Sequence, residues 1–161
     1  QKGFLLIDKL SRQIGKKLKA TQSVLVTAES CTGGWVAQAV TSVAGSSDWF
    51  ERGYVTYSNA AKREELGVRT TTLARYGAVS EQTAREMARG ALKHGRGTIA
   101  LSITGIAGPG GGSPARPVGT VCFCWVQGRR IRSETKRFKG GRASVRRQSV
   151  IHALRGVLKW L

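Results

Sequence analysis

A chain of 161 residues, 40% of them hydrophobic and 7% aromatic, is long enough for one sizeable core, which excludes intrinsic disorder as the default state. No run reaches the ~18 consecutive apolar residues of a membrane span, and no apolar leader ends in a small-residue cleavage site, so a cytoplasmic protein is expected. The net charge of +18, from 27 Lys and Arg against 9 Asp and Glu, favours anionic ligands and non-specific attraction to nucleic acid but says nothing about fold.

In chain order, Ile7, Leu10, Ile14 and Leu18 are spaced for one face of a helix over residues 6–20, with lysines and Arg12 between them. The short β-branched run 23–28 predicts a strand, Gly33 and Gly34 a tight turn, and residues 35–40 a helix. Residues 53–58 alternate as a second strand, with Val55 and Tyr57 facing one way, and Asn59 can cap a short helix carrying Lys62 and Leu66. Ser80 is a good N-cap for a helix over 81–94, where Ala84, Met87, Ala88, Ala91 and Leu92 form a stripe.

Residues 98–104 predict a strand, 105–117 a Gly/Pro-rich loop, 118–126 another apolar strand and 131–138 a charged edge strand. A final helix over 142–161 presents Val150, Leu154, Val157 and Leu161. Strands apolar on both faces, interleaved with helices, predict a three-layer α/β/α sandwich around a mixed sheet. Without repeats or a dividing linker, residues 1–161 are expected to form a single domain.

Cys31, Cys122 and Cys124 fit neither a disulfide framework nor a zinc site, and Cys122 and Cys124 share one strand face as small buried groups. Neither metal nor cofactor is expected. Ser30, in Ala28-Glu-Ser-Cys-Thr-Gly-Gly34, ends a strand just before a helix. There its hydroxyl can point into a cleft beside free N–H groups of the first helical turn, which suit an oxyanion; equally, it can simply cap the helix. A serine nucleophile needs a base. His94 and His152 belong to amphipathic helices, which argues against a Ser-His-Asp triad. Lysine is the alternative if burial lowers its pKa, and Lys62 is placed for it. The loop Gly105 to Ser113 could bring backbone amides close to a phosphate or serve only as a turn.

Taken together, Ala28-Glu-Ser-Cys-Thr-Gly-Gly34, Gly45-Ser-Ser, Phe50 to Asn59, Tyr76-Gly-Ala-Val-Ser80, Thr104 to Gly112 and Arg116-Pro-Val-Gly-Thr120 resemble the CinA C-terminal family over nearly the whole chain. The resemblance implies a nicotinamide mononucleotide deamidase of pyridine nucleotide salvage that releases ammonia without a metal. It implies Ser30 as nucleophile, Lys62 as general base and Tyr57 as an orienting or relaying group. Thr32, Gly33, Gly34, Thr104, Gly105 and Arg142 would hold the substrate, in a homo-oligomer. Two positions depart from the family: Gly141 stands where it writes Asp beside Arg142, and Ala60 where it usually writes an acid. A rival expectation is an inactive relative binding nucleic acid through Arg129, Arg130, Arg132, Lys136, Arg137, Arg146 and Arg147.

Overall fold

The structure is a computed structural model and describes residues 2–161. The elements run α1 (Lys2–Ala20), β1 (Leu25–Glu29), α2 (Trp35–Thr41), β2 (Phe50–Val55), α3 (Asn59–Leu66) and α4 (Thr70–Tyr76). They continue with α5 (Glu81–His94), β3 (Ile99–Gly105), β4 (Thr120–Gln127), β5 (Arg130–Arg137) and α6 (Arg142–Trp160). The five strands form one mixed sheet in the order β2-β1-β3-β4-β5. β2, β1 and β3 are mutually parallel, whereas β4 and β5 are antiparallel to their neighbours.

Side-chain alternation divides the core into two layers. Leu25, Ile99, Leu101, Ile103, Val121, Phe123 and Trp125 face the helices α1, α2 and α6. Val26, Ala28, Ala100, Cys122, Cys124 and Val126 face α5. The three-layer α/β/α arrangement is therefore the observed one, with Cys122 and Cys124 buried on one face.

Several boundaries differ from expectation for local reasons. Helix α1 starts at Lys2, a turn earlier, where Gly3 lies against the side chain of Arg147. Strand β2 covers Phe50–Val55 instead of 53–58, so Tyr57 lies beyond it. The amide of Thr56 makes the last bond to Glu29 O, and Ser58 then caps α3 by accepting from Ala61 N. The cap is thus Ser58 and not Asn59. Helix α4 is absent from the sequence reading because Thr70-Thr-Thr-Leu-Ala-Arg-Tyr76 buries only Thr72 and has no apolar stripe. It is held by tertiary contacts: Glu86 of α5 accepts from Arg69 N at 2.8 Å and from the Thr72 hydroxyl at 2.5 Å.

Leaving β1 the chain passes to one neighbour, β2, and later enters the other, β3, so the strand order reverses between β1 and β3. Ligands of open α/β sheets bind outside the carboxyl ends of the strands at such a point. Ser30 follows the end of β1 directly, and Thr104 lies at the end of β3.

Candidate active site

The turn carrying Ser30 is built from inside. Ser30 N donates to Ile103 O, and Gly33 N donates back to Ser30 O, both at 3.0 Å. Gly33 and Gly34 have φ of 62° and 98°, conformations that only glycine adopts without strain, and these turn the chain into α2. Glu29 is fully buried behind the turn. Its carboxylate accepts from Thr32 Oγ1 at 2.6 Å, Val36 N at 2.9 Å and Ala37 N at 3.1 Å. Burial pushes its pKa above the usual carboxylate range, while these hydrogen bonds pull the other way. From across the molecule, Arg146 donates through Nε to Cys31 O at 3.1 Å and through Nη2 to Thr32 O at 3.2 Å.

The second half of the site arrives on α3. The Ser58 cap and the left-handed Gly67 at the C-terminus fix this helix of eight residues, and Lys62 lies on its buried face. The ammonium nitrogen is 3.1 Å from Ser30 Oγ and 3.0 Å from Tyr57 O, on a side chain only 1% exposed. Ser30 Oγ also lies 3.5 Å from Tyr57 O. Desolvation lowers the Lys62 pKa from its ordinary value of 10.5. A charged Cys31 thiolate would oppose this, but burial, reinforced by the charge of Glu29, pushes that thiol up to about 12. At neutral pH the thiol is therefore uncharged.

Ser30 and Lys62 open on a cavity of about 200 Å³, also lined by Cys31, Tyr57, Asn59, Ala78, Val79, Thr104, Gly105, Ala107 and Arg142. Of the residues singled out from sequence, Ser30, Lys62, Tyr57, Thr104, Gly105 and Arg142 meet there. Thr32, Gly33 and Gly34 do not line the cavity; they shape the turn behind it, with the Thr32 hydroxyl committed to Glu29. Tyr57 takes part through its backbone carbonyl. The residue is 62% exposed, and its phenol oxygen lies 3.4 Å from Arg142 Nη2, so it does not stand between Ser30 and Lys62.

Thr104 Oγ1 donates to Ala78 O at 2.8 Å, tying the end of β3 to the segment before α5. Arg142 Nη1 donates to Gly108 O at 2.7 Å, which holds the glycine-rich loop against the first turn of α6. That loop is also pinned at its base, by Ile106 N to Thr120 O and Gly119 N to Ile106 O. The expected oxyanion donors shift as well. Glu29 engages the amides of Val36, Ala37 and Gly34, and Ser30 O that of Gly33, which leaves, among the amides of this turn, those of Cys31 and Thr32; of these two residues only Cys31 lines the cavity.

Sequence reasoning gave Glu29 and Val79 no place at the site, and gave Asn59 and Arg146 other ones, a helix cap and a nucleic-acid contact. Glu29 carried a signal, an acid closing an apolar strand; Arg146 carried none, since its partners lie 114 and 115 residues away. The histidines stay outside. His152 is packed among Phe123, Trp125 and Phe138 and contacts Glu134, and His94 closes α5 away from the cavity. Among the described residues no group of three or more His, Cys, Asp or Glu side chains converges as a metal site would require.

The CinA C-terminal domain profile matches residues 7–161, and the chain belongs to that family. It is 56% identical over 147 residues to the nicotinamide-nucleotide amidohydrolase PncC of Escherichia coli, covering 90% of this chain and 88% of that one. It is 49% identical to the protein of the same name from Pseudomonas putida, covering 95% and 96%. Among solved structures, the competence/damage-inducible protein CihA from Agrobacterium tumefaciens superposes with a TM-score of 0.93 at 44% identity, covering 96% of this chain and 94% of that one.

Proposed function

We propose that this protein hydrolyses the carboxamide of nicotinamide mononucleotide to nicotinic acid mononucleotide and ammonia, with Ser30 as nucleophile and Lys62 as general base. The observation that carries the reading is the buried Lys62 amine 3.1 Å from Ser30 Oγ at the carboxyl end of β1. The name borne by relatives at 49–56% identity supports the substrate.

In its neutral form the amine keeps an N–H on Tyr57 O and turns its lone pair to the Ser30 hydroxyl. It takes the serine proton as Oγ bonds to the amide carbon. The amide of Cys31 holds the oxyanion, and Arg142 adds a positive charge at the cavity wall. The Lys62 proton passes to the leaving nitrogen, ammonia departs, and the neutral amine activates the water that cleaves the acyl-serine ester. Thr104 and Gly105 form the floor on which the ring lies. The protein works in the cytoplasm as a homo-oligomer and needs no cofactor.

Ser30→Ala and Lys62→Met are each expected to lower ammonia release from nicotinamide mononucleotide by at least ~10³-fold. Their melting temperatures should stay near that of the parent chain. Near-normal turnover in either variant removes the dyad.

A further inference from the structure

The catalytic cavity, at about 200 Å³, is smaller than the roughly 300 Å³ at which ligand pockets of this kind begin, so a mononucleotide must extend beyond it. Directly beside it lies the larger cavity of about 510 Å³, between the start of α5 and the strands β4 and β5. Val79 lines both. Thr104 of the first cavity is the cross-strand partner of Cys122 of the second, so one strand spacing, about 4.8 Å, separates these two walls.

Three guanidinium groups, those of Arg85, Arg116 and Arg137, surround this second cavity, and its one carboxylate is that of Glu81. Glu81 is already engaged: Ser133 donates to its Oε1 and Thr135 to its Oε2, both at 2.8 Å. Among the described residues none of the three arginines forms an ion pair with a carboxylate. Arg85 uses only Nε, on Ser133 Oγ, and Arg116 only Nη2, on Tyr76 O. The remaining N–H groups form a cationic rim of the kind that receives phosphate oxygens. Arg142 is differently employed, on Gly108 O and towards Tyr57 Oη within the nucleophile's own cavity.

We infer that this second cavity is the phosphoryl subsite: with the reacting amide at Ser30, the ligand crosses the Val79 ridge and places its phosphate between Arg85, Arg116 and Arg137. The inference rests on the reading of the site as a nucleotide amidase. A phosphate monoester is the chemistry recognised, and it can come from the substrate itself or from a free phosphorylated compound; the substrate's own phosphate is the one proposed.

The test compares nicotinamide mononucleotide with its dephosphorylated riboside in the parent chain and in the Arg85→Ala/Arg137→Ala double variant. The parent should favour the mononucleotide by at least ~10-fold in kcat/KM, and the double variant should lose that preference through KM. An unchanged KM for the mononucleotide overturns the subsite. If the parent releases no ammonia from the mononucleotide, the amidase reading fails separately, and titration calorimetry with inorganic pyrophosphate decides the site. Binding that weakens ~10-fold or more in the double variant upholds it, and absent or unaltered binding rejects it. With turnover present, pyrophosphate should compete with the mononucleotide. Non-competitive inhibition assigns the cavity to a separate phosphorylated ligand and overturns the assignment to the substrate.

Discussion

Lys62 illustrates how a residue's surroundings decide its chemistry. On a surface its amine would be charged at neutral pH and useless as a base; burial lowers its pKa below 10.5, and the neighbouring Cys31 thiol is too weakly acidic to restore the charge. On the proposed mechanism the reactive form is the deprotonated one, so kcat/KM should rise with pH along an acidic limb whose midpoint lies below 10.5. The same shift has a stability consequence. Between the lowered folded pKa and the unfolded one the unfolded chain binds more protons, so stability contributed by Lys62 rises with pH across that window. A kcat/KM profile with no acidic limb anywhere below pH 10.5 contradicts Lys62 as the base. Glu29 works the other way round, as a buried acid that draws the turn and the first turn of α2 around itself.

Elements place these residues, and their docking is close. Helix α3, which carries Lys62, packs on α5 where Gly90 lies beneath the backbone carbonyl of Leu66. A methyl group at position 90 would collide with that carbonyl, which as backbone cannot rotate away. Gly90→Ala improves helix propensity by up to about 1 kcal/mol, yet overpacking against a fixed neighbour costs about 1–3 kcal/mol. The net expectation is a modestly lower melting temperature, with kcat reduced by ~10-fold or more because α3 and its amine are displaced from Ser30. Parallel measurement of melting temperature and single-turnover rate checks this; full activity in a folded Gly90→Ala chain shows that the α3–α5 contact does not set the dyad distance.

At the scale of the whole molecule, the charge of +18 acquires structure. Between Arg129 and Lys159 the chain has a single acid, Glu134, and four of the eleven cations there have specific partners within the chain. Arg130 lies over Trp160 and Arg132 over Trp125, at 4.1 and 5.1 Å from the ring centroids. Arg146 clamps the serine turn and Arg142 the glycine-rich loop. Any binding to duplex DNA should be sequence-independent, with affinity falling ~10³-fold or more between about 50 and 200 mM salt if six or more phosphates are contacted. Fluorescence anisotropy across that range measures it, and salt-resistant binding would revive the nucleic-acid reading.

The sequence by itself determined what depends on local pattern. The 3.6-residue stripe of α5, its Ser80 cap, the paired burial of Cys122 and Cys124, and the three-layer architecture all follow from periodicity and element order, whereas the pairing of Ser30 with Lys62 was an expectation drawn from the family motifs. Only the tertiary structure decided what depends on contacts between distant segments. These include helix α4, which has no stripe and is held by Glu86, and the turn-clamping Arg146, more than a hundred residues from its partners. They also include the carbonyl of Tyr57 as the amine's acceptor and the engagement of the Val36 and Ala37 amides by Glu29. The physical reason is the same in each case: hydrophobic periodicity acts along a few turns of chain, whereas hydrogen-bond partners and desolvation are fixed only when separate elements close around one point.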